Sequence, residues 1–129
     1  MSSPDGLHHI LLHMARSKDF PNGSAAHGYA LRAPLDAEHR IDLARWKAQR
    51  DHCVVRRFWP GEADEHGLLV HKPGGKGGAT WAFDYDQDSA DDDEAGYRLG
   101  EHRFVPGEYV SIRGEDGVLH TYVVVTVEA

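Results

Sequence analysis

Between Cys53 and Glu128 the chain repeats one pattern. Short β-branched and aromatic runs, "CVVRRFW", "LLVH", "ATWAFDY", "EYVSI" and "VLHTYVVVTV", alternate with turns rich in glycine, proline or acids. Such runs read as strands, and their punctuation reads as tight connections. The connections are too short to hold repeated crossover helices, so neighbouring strands have to run antiparallel. The pattern predicts an α+β, mostly β domain: a curved antiparallel sheet or small β-barrel of seven to eight short strands. One short helix accompanies it, over about 42–51. In "DLARWKAQRDH" Asp42 can cap the first turn, good helix formers follow, and Leu43 and Trp46 share a face that packs on the sheet.

The N-terminal segment has two readings. In "SSPDGLHHILLHMARS", Ser3 and Pro4 are helix-start residues, and Leu7, Ile10, Leu11 and Met14 would form a helical stripe. The alternative is a strand "HHILLHMAR" that turns through "DFPNG" into a second strand. The strand is favoured, because the turn residues and the β-rich run that follows complete a hairpin.

At 129 residues the chain reads as a single domain, 1–129, large enough for one core. Its longest apolar runs, "ILL" and "VVV", are too short to cross a bilayer, and the N-terminus lacks the basic region of a signal peptide. The one cysteine, Cys53, excludes an internal disulfide framework and points to a cytoplasmic location. Net charge is −7, and it is unevenly placed. Residues 84–101 hold eight acids and one base, which leaves the remaining 13 acids and 13 bases in balance. Residues 86–96 are therefore expected to be an acidic, mobile loop. A local excess of base over 40–57 is the complementary feature, and the acidic loop could dock there as a lid. No broad basic surface exists of the kind that displaces counterions from nucleic acid, so nucleic acid is not an expected partner.

The last two strands can be placed in register. "SIRGEDGVLH" suggests a tight turn at Glu115 and Asp116, so Arg113 would face Val118 and Ser111 would face His120. Alternation then sends Val110, Ile112, Leu119, Val123 and Val125 to the core. Tyr109, Ser111, Arg113, His120 and Tyr122 form the opposite, polar and aromatic face.

The motifs of known chemistries are incomplete. "GGKGGAT", with Lys76, misses the spacing of a phosphate-binding loop and runs into a strand rather than a helix. Asp84, Asp86 and Asp88 alternate like the first ligands of a calcium loop, but Ser89 stands where glycine is needed and Ala95 where a bidentate glutamate is needed. Ten histidines invite a metal reading, yet no H-E-x-x-H, C-x-x-C or H-x-H occurs. Only a non-local set gathered from His13, His27, His66, His71, His102 or His120 would serve. Ser111 and His120 lack a nucleophile elbow and a third, orienting acid.

"FVPGEYVSI" followed by "HTYVV" resembles the "PGQYV" and R-x-Y-[ST] segments of flavin-binding reductase barrels over about 20 residues. The resemblance implies a small-barrel strand. It does not carry flavin, since His120 stands where the phosphate-binding arginine would be and Val123 replaces the Ser/Thr.

Taken together, the residues point to non-enzymatic binding of a small anionic or aromatic ligand in a barrel or curved-sheet pocket. Arginine beside exposed aromatics suits such a ligand through bidentate hydrogen bonds and stacking. The contacts expected are Arg56, Arg57, Trp59, Tyr109, Arg113, His120 and Tyr122. No cofactor is predicted, and a metal ion is a minor alternative. Two other classes compete: a small metal-dependent or hydrolytic enzyme using clustered histidines, and an interaction module that docks a basic protein partner through the acidic 84–101 segment.

Overall fold

The structure, a computed structural model, describes residues 7–18, 20–71, 81–84, 103–113 and 118–128, and the backbone of 94–97. Eight strands follow one another: β1 (Leu7–Met14), β2 (Ser24–Pro34), β3 (Val54–Phe58), β4 (Glu65–His71), β5 (Trp81–Asp84), β6 (Glu94–Tyr97), β7 (Tyr109–Arg113) and β8 (Leu119–Glu128). Each pairs antiparallel with its chain neighbours, and β8 pairs with β1, so the sheet closes into a barrel. Of the two N-terminal readings, the strand is the one that forms. Its partner β2 can bury Leu31 and Ala33 beside Ile10 and Leu12, which a surface helix could not offer.

Alternation fills the barrel. Ile10, Leu12 and Met14 from β1, Tyr29 and Leu31 from β2, Val55, Leu69, Phe83, Val110, Ile112, Tyr122 and Val124 all turn inward and are almost fully buried. Tyr29 lies at the centre, its ring 5.1 Å from both Phe83 and Tyr122. An eight-stranded barrel is just wide enough for side chains to fill it, and here large aromatic rings do so.

One end of the barrel is covered. The helix α1 (Leu43–Ala48) leads from β2 to β3, with Asp42 accepting from the Arg45 amide at 3.1 Å. A 3-10 turn, Arg50–His52, continues it, so the helix expected over 42–51 divides in two after Ala48. Trp46 is buried, donates from Nε1 to the Leu69 carbonyl at 2.9 Å, and meets Trp81 edge to face at 5.3 Å. Leu43 does not share that burial; it is 36% exposed, because six residues of helix bring only one side chain over the barrel end. Phe104, fully buried, tethers the approach to β7 by donating its amide to the His39 carbonyl at 2.8 Å. No described helix is long and apolar enough to cross a membrane.

Two expectations need correction. First, β6 begins at Glu94 and pairs with β5 and β7, so 94–96 belong to the sheet rather than to an acidic loop. Residues 86–93, and with them most of the acidic segment, lie outside the described residues, as do Lys76 and its glycines. Second, β7 and β8 pair one residue away from the expected register. Arg113 faces Leu119, Ile112 faces His120, Ser111 faces Thr121 and Val110 faces Tyr122. The connection is five residues, not four, and one residue of slip exchanges the two faces of a strand. Tyr122 is therefore inside and Leu119 is 45% exposed outside.

Gly28 marks the closest approach between strands. It sits beside a bulge where the β1–β2 register shifts, between His13 and Phe58. A Cβ there would collide with the Leu12 carbonyl oxygen and press on the Phe58 ring. Gly28→Ala is expected to cost about 3 kcal/mol or more in urea denaturation, since backbone has to shift to admit it. Tyr122→Ala should cost about 3–5 kcal/mol, as loss of a large core ring does, whereas Val123→Ala on the outer face should cost under about 1 kcal/mol. Equal effects would contradict the register.

Candidate functional site

Besides Trp46 and its neighbours Trp81, His71 and Arg50 at the α1 end, charged and aromatic residues gather at two places among the described residues. The first is the barrel end opposite α1. Arg57 lies across from Tyr29 on the inner face of β3, and Trp59 follows it. The Arg57 guanidinium stacks 4.4 Å from the Trp59 ring centre, and its Nη1 is 3.5 Å from Glu62 Oε1. His27, in the β2 bulge, meets Trp59 edge to face at 4.3 Å and Phe20 at 4.7 Å. Its Nδ1 lies 2.6 Å from Ser24 Oγ. His120 approaches Trp59 from β8 at 6.1 Å. Burial lowers the His27 pKa from its ordinary 6.5, and the charges of Arg57 and His120 lower it further. These rings are in mutual contact, so the cluster is a plug more than a pocket.

Of the seven expected contacts, Arg57, Trp59 and His120 converge here, and Tyr122 lies beneath them in the core against Tyr29. Arg56, Tyr109 and Arg113 face outward, with Tyr109 and Arg113 exposed on β7. The expected Ser111–His120 pair does not form. Ser111 Oγ instead lies 3.4 Å from Thr121 Oγ1, and His120 turns inward. Phe20 and His27 joined the cluster without any signal in their local sequence, because a bulge three residues wide brings His27 round to Trp59. Cys53 is fully buried and its thiol is pushed up to about 11 by that burial, which leaves it no nucleophilic character near neutral pH. Among the described residues no three His, Cys, Asp or Glu side chains group as metal ligands would.

The second place is a groove of about 450 Å³ on the outside of the barrel, running over β1 to β4 and the end of β8. Outward-facing residues line it. Leu11, Ala30 and Val54 supply an apolar bed, while His9, Arg32, Arg56 and His66 supply basic groups. His9 faces Arg32 across β1 and β2, with Arg32 Nη2 3.3 Å from His9 Nε2. Arg56 faces His66 across β3 and β4, and its Nη1 holds Asp64 Oδ2 at 3.0 Å. Glu128, across from His9, closes the β8 side.

Arg32 differs from the other partly buried arginines. Arg40 and Arg57 hold glutamates, whereas no carboxylate among the described residues lies within ion-pair distance of Arg32. Its Nε is covered and meets no acceptor there. Among the described residues the charge is uncompensated, and its open side is the groove. Sequence reasoning passed over Arg32 and weighed His66 only as a metal ligand, since nothing local indicates that three separate strands set Arg32, His9 and His66 side by side.

Comparison with known proteins finds no matching family model, no matching curated protein and no matching solved structure. The fold and these two clusters are thus the basis for function.

His27 makes stability depend on pH. The unfolded chain takes up its proton near the ordinary value of 6.5, while folded His27 resists protonation to lower pH. The unfolded state carries more protons across that interval, so the His27 contribution is intact above about pH 7 and is lost progressively as pH falls through it. In urea melts, His27→Gln should flatten the wild-type decline in stability between about pH 7 and pH 5. An unchanged slope would place the titrating group elsewhere.

Proposed function

We propose that this protein binds a small anionic ligand, without catalysing its conversion, in the groove on the outer face of β1 to β4. The observation that carries the reading is Arg32, a partly buried guanidinium facing a groove of about 450 Å³ with no carboxylate partner among the described residues. A cation removed from water is costly unless an opposite charge and hydrogen bonds compensate it. An anion in the groove supplies both, because guanidinium offers paired donors to carboxylate or phosphate oxygens. His9 lends a second donor beside it, and Leu11, Ala30 and Val54 offer apolar contact to the rest of a ligand, aromatic or otherwise.

The reading also explains where a ligand can go in a filled barrel. Tyr29, Phe83 and Tyr122 occupy the interior, and the opposite mouth is closed by its own aromatic rings. Arg56 remains a contact in this reading; Arg57, Trp59 and His120 instead serve the mouth, with Tyr122 in the core and Tyr109 and Arg113 on other outer faces.

An amide-detected NMR titration with inorganic phosphate, and separately with benzoate, tests the reading. Shifts should concentrate on β1 to β4 outer-face residues around Arg32. Arg32→Ala should weaken binding by about tenfold or more, the worth of one charge-assisted hydrogen-bonding pair. Shifts centred on Trp59, or an affinity indifferent to Arg32→Ala, would sink it.

A further inference from the structure

We propose that the groove selects ligands carrying two adjoining anionic groups, of the diphosphate class, laid diagonally from β1 towards β4; this rests on the anion-binding reading above. The argument starts from register. Ala30 faces Arg56 across β2 and β3, and Arg32 stands two residues further along β2. Arg32 and Arg56 therefore occupy opposite corners of one square of the outer face, with Ala30 and Val54 at the other two. From strand spacing and rise, their Cα atoms lie about 8 Å apart.

The two guanidiniums lean away from each other. Arg32 reaches towards β1, where its Nη2 meets His9 Nε2 at 3.3 Å. Arg56 reaches towards the β3–β4 connection, where its Nη1 meets Asp64 Oδ2 at 3.0 Å. Short Ala30 and Val54 leave the space between them open. A single anion on Arg32 leaves Arg56 with Asp64. A second anionic group, bonded to the first, draws the exposed Arg56 guanidinium back across that space and away from Asp64.

The order His9, Arg32, Arg56, His66 then forms a stepped line of donors across four neighbouring strands, two directly facing pairs joined by one diagonal step. Such a line matches an extended dianionic group better than a compact one, because each oxygen cluster finds its own fork. Asp64 is exposed, with 40% of its side chain accessible, so an incoming anion can displace it at little cost.

Calorimetric titration of the full chain tests this with inorganic diphosphate against inorganic phosphate. Diphosphate is expected to bind at least about tenfold more tightly. Arg56→Ala should erase that advantage while leaving phosphate affinity within about twofold. Asp64→Asn, a conservative exposed change, should strengthen diphosphate selectively by removing its competitor. Equal affinity for the two probes would overturn the diphosphate assignment and leave anion binding standing. Binding of neither probe would overturn both. An advantage for diphosphate that survives Arg56→Ala would overturn the diagonal arrangement.

Discussion

The pairing of β8 with β1 is the constraint on which the rest depends. Without it the chain would be an open sheet with two long edges, each a row of unpaired backbone donors and acceptors. Closure removes both edges and obliges every strand to present one face inward. The joint is not regular: Leu11 pairs with Thr126 but Leu12 pairs with Val124, so Val125 is an extra residue in β8. That bulge lets Val124 and Tyr122 continue inward past the seam while Val127 also packs against the core beyond it. A second irregularity, between His13 and Met14, turns β2 at the far end and swings His27 over the mouth.

Closure also decides where binding can occur. A barrel of eight strands can either hold a ligand or fill itself, and this one fills itself with tyrosine and phenylalanine. Trp46 covers one end and the Trp59 cluster occupies the other. Among the described residues the groove lies on the curvature of the outer wall. There the side chains of alternate residues on four strands meet, and a partly buried arginine with no acidic partner among the described residues stands among them. The mouth and the groove use neighbouring residues of one strand for different ends: Arg57 turns in to stack on Trp59, and Arg56 turns out to the groove.

Much of the fold was legible in the chain, and the errors in reading it share a cause. Runs such as "CVVRRFW" and "VLHTYVVVTV" announce strands because β-branched and aromatic side chains suit a pleated surface, and Asp42 announces its helix by chemistry that is local. The opposite faces of Arg56 and Arg57 followed from alternation alone. The register of β7 on β8 did not. "RGEDGV" admits a four- or a five-residue connection, and the choice reverses which of Tyr122 and Val123 is buried. Strand β6 was hidden for a related reason: "EAGY" is not apolar, and it is a strand because β5 and β7 both have backbone groups to pair with it.

The sequence by itself determined the period of the chain: which stretches other than β6 are extended, roughly where they turn, that they run antiparallel, and that a short helix interrupts them. These are consequences of side-chain shape and of the few residues that permit a turn. Only the tertiary structure decided that the sheet closes, which face of β8 is inside, and that His9, Arg32, Arg56 and His66 are neighbours. The first and last of those residues lie 57 positions apart in the chain, and their adjacency is created by cross-strand pairing, which depends on bulges and connection lengths rather than on any property of the residues that it brings together.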